Sequence, residues 1–215
     1  ASADLAKEQG KIPENDETKY GLGITPNQTY KKELDELVPH VERMDWTGLR
    51  TQLKETGIRN STLMALMPAE TSAQISNSTN GVEPPRAFVS VKQSKHGVLR
   101  QVVPGFARLK NKYDLLWQQR SPEGYIKIMA VLQKYIDQGI SVNTSYNPEY
   151  FEDEKIPMSV LLQHLLMFYK YGGKQLYYFN TYDGQGEIEF KDDQKAREDF
   201  DTDQEYDDYC ESCAI

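Results

Sequence analysis

The strongest constraint on the fold is that segments able to form strands are few and are separated by long helical ones. Two short apolar runs, Asn60–Met67 and Lys174–Asn180, are typical of buried strands. Phe88–Val91 and Val98–Val102 flank a polar stretch and predict a β-hairpin. Helices that alternate with strands indicate an α/β fold. Two buried strands and a hairpin cannot close a sheet or a barrel, so we expect strands from another chain to complete it.

Four longer helices are predicted from apolar periodicity and from residues that begin or end helices. The first follows Asp45, a suitable N-cap, and ends near Glu55, just before Gly57. The first forty residues contain repeated glycines and prolines, and we expect them to be irregular. The other helices are expected over Phe106–Trp117, from Ser121-Pro122 to about Ile140, and from Pro157 to Gly172-Gly173.

The last two of these helices each carry an apolar stripe at helical spacing, which should face the core. The final helix has a second apolar face with Val160, His164 and Met167, which is either deeply buried or holds another group. The predicted core stripes are Tyr125, Ile128, Met129, Leu132, Tyr135 and Ile136 in one helix, and Met158, Leu161, Leu162, Leu165, Phe168 and Tyr169 in the other.

The net charge of −8 is concentrated in the last part of the chain. Residues 187–215 include 12 acidic and 3 basic residues, whereas residues 1–186 include 21 acidic and 22 basic ones. We therefore expect a folded part, 1–186, and a flexible, disordered acidic tail, 187–215. An acidic tail repels nucleic acid and anionic lipid, and no run of about 18 apolar residues could span a membrane. We expect no nucleic-acid partner and no membrane.

The turn Pro68-Ala69-Glu70-Thr71-Ser72 lies between a predicted strand and a short helix expected over about Thr71–Asn77. The free N–H groups and the positive dipole at a helix start can bind a phosphate, and Thr71 and Ser72 would add hydroxyl groups. Ordinary N-capping by Ser or Thr explains the same pattern. Glu70 would repel a diphosphate unless its side chain points away.

Tyr177 and Tyr178 are adjacent in the second apolar run. Neighbouring residues on a flat strand point to opposite faces, so one ring could lie in the core and the other at a polar boundary. Alternatively, the two phenols pass on an electron together with a proton. That relay requires the strand to twist or bulge so that both rings reach the same side.

Cys210 and Cys213 are the two cysteines, and both lie in the last six residues. A zinc site needs four ligands, and three histidines at no recognisable spacing do not supply them, so we expect no metal site. A Cys-x-x-Cys pair at the end of an acidic tether fits a thiol shuttle that exchanges its disulfide with another dithiol. Thiol–disulfide exchange of this kind indicates a reducing compartment. We therefore expect the cytoplasm, or the host cytoplasm if a phage encodes the chain.

These features occur in a fixed order together with several further motifs. The sequence resembles the C-terminal part of the large, catalytic subunit of class I ribonucleoside-diphosphate reductase, and follows the bacterial and phage form closely. The resemblance covers nearly the whole chain. It is carried by Arg59–Ser72, Gln74–Asn77, Glu83–Pro85, Leu99–Val103, Leu176–Tyr178 and the terminal cysteine pair.

The resemblance implies a fold and a role for each motif. The fold would be the C-terminal portion of a ten-stranded α/β barrel, incomplete without a partner chain. The turn Pro68–Ser72 would bind the diphosphate of a ribonucleoside diphosphate through backbone N–H groups. Ala69 stands where the family often has a hydroxyl residue, which leaves the backbone contacts in place. Tyr177 and Tyr178 would relay a radical from the small subunit to a cysteine at the substrate, which becomes a 2′-deoxyribonucleoside diphosphate.

The resemblance also implies partners. Cys210 and Cys213 would re-reduce the active-site disulfide, and thioredoxin or glutaredoxin would reduce them in turn. The radical cofactor, a di-iron tyrosyl centre, would belong to the small subunit and the allosteric nucleotides to the missing part, so no cofactor is expected on this chain. Because no cysteine precedes Cys210, we expect a split subunit that is active only with the N-terminal part and the small subunit. A trimmed piece is the rival explanation.

An interpretation from another class also remains open. On that view the chain is a non-enzymatic α/β scaffold module whose acidic, thiol-bearing tail docks to a partner. The tyrosines would then be core residues, and the turn before the short helix would be an ordinary cap.

Overall fold

The computed structural model describes residues 1–94, 97–183 and 187–188, which form two compact units. The first unit comprises Ala1–Leu66, Glu123–Val142 and Ser159–Tyr177. The second comprises Met67–Pro122, Asn143–Met158 and the described part of Tyr178–Ile215. The helices are α1 (Ser2–Gln9), α2 (Pro26–Thr29), α3 (Trp46–Thr56), α4 (Glu70–Ile75), α5 (Phe106–Leu109), α6 (Glu123–Gln133) and α7 (Met158–Lys170). The strands are β1 (Val89–Ser94), β2 (Gly97–Val102), β3 (Ser141–Tyr146), β4 (Gln175–Thr181) and β5 (Glu187–Ile188).

The first forty residues are ordered, which the sequence did not predict. Ala3 of α1 packs with Leu53 of α3, and Ile58 and Tyr20 complete this cluster. The buried side chain of Asn15 holds the segment in place, because its Oδ1 accepts a hydrogen bond from the Ile58 N–H at 2.9 Å. The expectation of an irregular segment was wrong because the residues that anchor it are small or polar and leave little apolar periodicity.

Helix α3 confirms its predicted limits. The carboxylate of Asp45 accepts a hydrogen bond from the N–H of Gly48, which is a side-chain N-cap. Gly57 follows the last turn with a φ of 71°, a left-handed conformation that favours glycine. Local signals at both ends therefore determined this helix.

Helix α6 ends at Gln133, earlier than the predicted Ile140. Beyond this residue the Gln133 side chain, instead of a helical backbone, forms hydrogen bonds with the backbone groups of the chain. Its Nε2 donates to the carbonyl oxygens of Ile136 and Gln138, each at 2.8 Å. Its Oε1 accepts from the Ile140 N–H at 2.9 Å. These three bonds from a buried amide turn the chain towards β3.

The core of the first unit forms between α6, the start of β3 and α7. Its buried members are Ile126, Met129, Ile140, Val142 and Phe168. The predicted α6 stripe was correct for Met129 but wrong for Ile128, which is exposed, and Ile126 takes its place. Tyr125, Leu132 and Ile136 pack at the edge of this core, whereas Tyr135 is exposed.

Helix α7 confirms the predicted helix but buries the face opposite to the predicted one. His164 is buried and Met167 packs against the core, so burial explains the second apolar face. Within the predicted main stripe only Phe168 is buried. Apolar residues surround most of this helix, so periodicity could not select the buried side. The exposed apolar residues of the helix are Met158, Leu162, Leu165, Leu166 and Tyr169.

Strands β3 and β4 form a two-stranded sheet. Hydrogen bonds join Tyr178 to Asn143, Asn180 to Ser145 and Tyr182 to Tyr146. The residue numbers of the paired positions increase along both strands, so the strands run parallel. Helix α7 provides the crossover connection that parallel strands need. The sequence predicted β4 correctly as a strand but wrongly as a buried one, since its residues are exposed or half-buried in this chain. The sequence missed β3, which alternates half-buried and buried residues in SVNTSY.

The predicted hairpin is confirmed in the second unit. β1 and β2 pair antiparallel, with Val89 opposite Val102 and Ser94 opposite Gly97. β5 adds to the free side of β1, with Val89 opposite Ile188. This strand lies at the start of the predicted acidic tail. In the described ranges the sheets have three and two strands, and neither closes into a barrel.

Two predictions of regular structure were wrong. Asn60–Met67 forms no strand within the described residues, and Leu63, Met64 and Met67 are exposed. An extended segment becomes a strand only when a neighbour pairs with its backbone. Phe106–Trp117 is not one helix: α5 is followed by 3₁₀ turns at Lys110–Lys112 and Leu116–Gln118. There the Leu116 N–H donates to the carbonyl of Pro85 at 2.8 Å, which fixes a non-helical path.

We expect Gln133→Ala to lower the free energy of unfolding by about 3 kcal/mol, since it leaves the Gln138 carbonyl and the Ile140 N–H without a partner and removes one of two donors to the Ile136 carbonyl. Urea denaturation measures the effect. Gln163→Ala, on the exposed side of α7, is the matched control and should change stability by less than about 0.5 kcal/mol. Equal effects of the two substitutions would contradict the assigned role of Gln133.

The buried imidazole of His164 makes stability depend on pH. Burial lowers the pKa of His164 below its usual 6.5, and the carboxylate of Glu123, 3.9 Å from Nε2, partly opposes that shift. As pH falls below 6.5, the unfolded chain takes up a proton more readily than the folded one, so stability decreases. His164→Gln should therefore lose less stability than the parent between pH 7.5 and 5.5 in urea denaturation. An unchanged pH dependence would show that His164 is not responsible.

Candidate functional site

Tyr177 and Tyr178 are adjacent on β4, and their side chains are 48% and 54% exposed. Leu176, the residue before them, packs against the core of the first unit. Neither phenol is buried in the core, so the interpretation that places one of them there was wrong. Two accessible phenols at consecutive positions are chemically suited to exchange electrons and protons with groups outside the described residues.

Asn143 on β3 fixes the backbone at the second tyrosine. Its Oδ1 accepts a hydrogen bond from the Tyr178 N–H at 3.2 Å, and its Nδ2 donates to Glu83 at 2.7 Å. One amide thus joins β4 to the Glu83–Pro85 segment. Sequence reasoning missed Asn143 because it missed β3. The alternating Val142, Thr144 and Tyr146 were the available signal, and all three are buried.

A buried phenol lies further along the same strand. Burial raises the pKa of Tyr146. The phenol of Tyr146 therefore stays protonated through the neutral range. The Tyr146 carbonyl also accepts a hydrogen bond from the Tyr182 N–H at 2.9 Å, which continues the pairing of β3 with the chain after β4.

The predicted turn Pro68–Ser72 lies at the surface of the second unit, with Pro68 and Ser72 exposed. The Ala69 N–H donates to Oδ1 of Asn80 at 2.6 Å, so this backbone donor already has a partner. Buried Ala73 anchors the helix behind the turn, and its N–H donates to the Ala69 carbonyl at 2.7 Å. The turn thus has a fixed backbone that faces solvent.

Helix α4 begins at Glu70, so Ala69 occupies the N-cap. Alanine has no polar side chain, and neither Thr71 nor Ser72 is the capping residue. The interpretation of this turn as Ser or Thr capping was therefore wrong. At the other end of α4, Nε2 of Gln101 on β2 donates to Oδ1 of Asn77 at 3.0 Å, which ties the helix end to the hairpin.

The predicted site residues are distributed over the chain as follows. The turn and Tyr178 belong to the second unit, and Tyr177 is the last residue of the first. Cys210 and Cys213 lie outside the described residues. Within residues 1–94, 97–183 and 187–188, no group of three or more potential ligands could hold a metal ion. Among the same residues, no helix is both long and apolar enough to cross a membrane.

Comparison with known proteins agrees with this arrangement of motifs. The family described as "Ribonucleotide reductase, barrel domain" matches residues 1–115 and 107–179. The ribonucleoside-diphosphate reductase subunit alpha of Haemophilus influenzae is 54% identical over 189 residues, 88% of this chain and 25% of the relative. Subunit alpha of reductase 1 from Escherichia coli is 54% identical over 184 residues, 86% and 24% of the two chains.

A phage relative matches as well. Subunit alpha of the enzyme from Enterobacteria phage T4 is 42% identical over 193 residues, 89% of this chain and 26% of the relative. The chain thus spans about a quarter of the length of the curated relatives it matches. The family match covers most of the chain, including the turn and both tyrosines, and the chain therefore belongs to the ribonucleotide reductase family as a segment of its barrel domain.

Proposed function

We propose that this chain is part of the catalytic subunit of a ribonucleotide reductase that converts ribonucleoside diphosphates into 2′-deoxyribonucleoside diphosphates. The observation that carries the proposal is the exposed tyrosine pair on β4, in a chain that belongs to this family. The relatives named above are ribonucleoside-diphosphate reductases. They give no support to the alternative, a non-enzymatic scaffold with an acidic tail.

In this proposal Tyr178 and Tyr177 carry an unpaired electron towards the substrate. Each step moves one electron and one proton from a phenol O–H to the preceding radical, so the donor becomes a neutral phenoxyl radical. Because the two tyrosines are consecutive residues of β4, only one peptide unit separates the backbone positions that carry the phenols. Asn143 supports the relay because it holds the Tyr178 backbone by a hydrogen bond.

Phenylalanine at either position removes the O–H and leaves the ring. Tyr177→Phe and Tyr178→Phe should each abolish deoxynucleotide formation by the reductase assembled with the rest of its large subunit and the small subunit. Nucleotide binding should remain nearly intact, since only a phenol oxygen is lost. Product formation and equilibrium binding are measured on the same preparations.

Tyr150→Phe is the matched control for the relay. Tyr150 is also an exposed tyrosine of the second unit, and its O–H donates to the carbonyl of Gln118. This variant should keep most of the activity. Normal turnover by both β4 variants would contradict the relay and would favour the scaffold interpretation.

The substrate's diphosphate is proposed to bind at the turn Pro68–Ser72. The turn leads into the start of α4, its end residues Pro68 and Ser72 are exposed, and Asn80 supports it. Ala69 contributes no hydroxyl group, so binding through the backbone and the Thr71 and Ser72 hydroxyls is the chemistry that this sequence allows. Glu70 is tolerated only if its carboxylate is directed away from the phosphates.

Cys210 and Cys213 are proposed to complete each turnover as a dithiol shuttle on the acidic segment 187–215. Substrate reduction replaces the 2′-hydroxyl with hydrogen, releases water and oxidises two thiols to a disulfide. A thiolate of the shuttle attacks that disulfide, and exchange leaves the shuttle oxidised and the active site reduced. Thioredoxin or glutaredoxin then reduces the shuttle, which accords with a cytoplasmic location.

Cys210→Ser should permit one turnover with the thiols of the active site and then stop when thioredoxin is the reductant. Dithiothreitol is small enough to reach the active-site disulfide directly, so it should restore continuous turnover. Single-turnover and steady-state product measurements separate the two phases. Ser212→Ala lies between the cysteines and serves as the control. Continuous cycling of Cys210→Ser on thioredoxin would contradict the shuttle.

The rest of the large subunit is proposed to complete the barrel around this chain. Support comes from Asn60–Met67, which has the composition of a strand and exposes Leu63, Met64 and Met67. A neighbouring strand would cover these apolar side chains and would also form hydrogen bonds with the backbone of this segment. The radical cofactor is proposed to belong to the small subunit, as in the relay proposed above.

A further inference from the structure

A cavity of about 470 Å³ lies within the first unit, and every residue that lines it belongs to that unit. Its walls come from the N-terminal segment, the loop after α6 and the chain at the end of α7. The volume falls in the range of about 300–1,000 Å³ that is typical of small-molecule sites. The activity proposed above makes no use of this cavity.

The charge on the cavity wall is strongly unbalanced. Lys19, Lys31, Lys134 and Lys174 line it, and Asp137 is the one acidic residue among the lining residues. Asp137 is already engaged, because its two carboxylate oxygens accept hydrogen bonds from the Tyr20 O–H and the Leu63 N–H. Within the described residues none of these four lysines forms an ion pair.

The ammonium group of Lys134 contacts an aromatic ring and an imidazole. Its Nζ lies 3.6 Å from the centre of the Tyr30 ring and 2.7 Å from Nδ1 of His40. Burial lowers the pKa of Lys134, which reflects a cation that has lost part of its hydration. Asp35 lies near enough to favour the charged form, but both of its carboxylate oxygens already accept from the phenol of Tyr30.

The other lysines converge from separate segments. Nζ of Lys174 donates to the carbonyl oxygens of Ile136 and Asp137, at 3.3 and 2.9 Å, which fixes its position at the wall. Nζ of Lys31 lies 4.3 Å from the centre of the Tyr169 ring. Burial lowers the pKa of Lys174, and the positive charge of nearby Lys19 adds to that effect. Like charges held together favour a bound anion.

We propose that this cavity binds a small phosphate-bearing organic anion. Lysine is a common ligand of phosphate as a compact point charge, and hydroxyl groups of Thr29, Ser61 and Thr62 also line the cavity as possible donors to phosphate oxygens. The volume exceeds what inorganic phosphate alone would fill. The site is separate from the proposed diphosphate turn and does not depend on the proposed catalytic role.

Pyrophosphate is the probe for this site, titrated calorimetrically into the 215-residue chain at fixed ionic strength. We expect binding at least tenfold tighter than that of acetate. Lys134→Gln and Lys31→Gln should each weaken pyrophosphate binding by about tenfold, whereas Lys7→Gln, an exposed lysine of α1 outside the cavity, should change it less than twofold. Circular dichroism checks that each variant is folded, and the exposed position of Lys31 keeps that variant informative if Lys134→Gln does not fold.

Three results would overturn the proposal. The first is equal affinity for pyrophosphate and acetate. The second is an equal loss in Lys7→Gln, which would indicate general attraction to a positive surface. The third is full retention of binding in both cavity variants, which would place the pyrophosphate elsewhere, for example at the turn Pro68–Ser72. Since no turnover is measured, failure here leaves the proposed reductase function untouched.

Discussion

The carboxylate of Asp137 joins parts of the first unit that are far apart in the sequence. One oxygen accepts from the phenol of Tyr20 at 2.5 Å and the other from the Leu63 N–H at 2.7 Å. Its backbone carbonyl accepts from Lys174, just before β4. Burial and the hydrogen bond to Asp137 both raise the pKa of Tyr20, so the phenol remains a donor at all ordinary pH values. The side chain of Gln133 also holds the loop after α6. This loop therefore positions the N-terminal segment, Asn60–Met67 and the start of β4, the strand that carries the tyrosines.

The sequence predicted those elements whose signals are local. Asp45 and Gly57 mark the two ends of α3, and the hairpin β1–β2 follows from two alternating runs around a polar turn. Elements that depend on distant partners were predicted poorly. Asn60–Met67 has the composition of a strand but lacks a paired neighbour in the described residues, and the turn that ends α6 depends on a side-chain amide whose role no periodicity reveals.

The candidate site shows the same difference between what local motifs predict and what depends on distant residues. The family motifs located the turn and the tyrosine pair, and the family match covers both. What the motifs could not predict is how these residues are supported. Asn80 occupies the Ala69 donor, and Asn143 holds Tyr178 from a strand that was missed. Polar residues that act through their own hydrogen bonds leave no hydrophobic pattern, so only the three-dimensional arrangement identifies them.

In the proposed shuttle, the pairing of β5 with β1 fixes the point at which the segment that carries the two cysteines is attached. Ile188 is held opposite Val89 at the edge of the hairpin sheet, and twenty-two residues separate it from Cys210. At an extended rise of about 3.3–3.6 Å per residue, that length of chain spans at most about 80 Å, which limits the reach of the Cys210 thiol in the proposed shuttle. A release of β5 would move the point of attachment back to the end of β4, so under the proposed shuttle a two-residue strand would decide which disulfides and which reductants the thiols can meet.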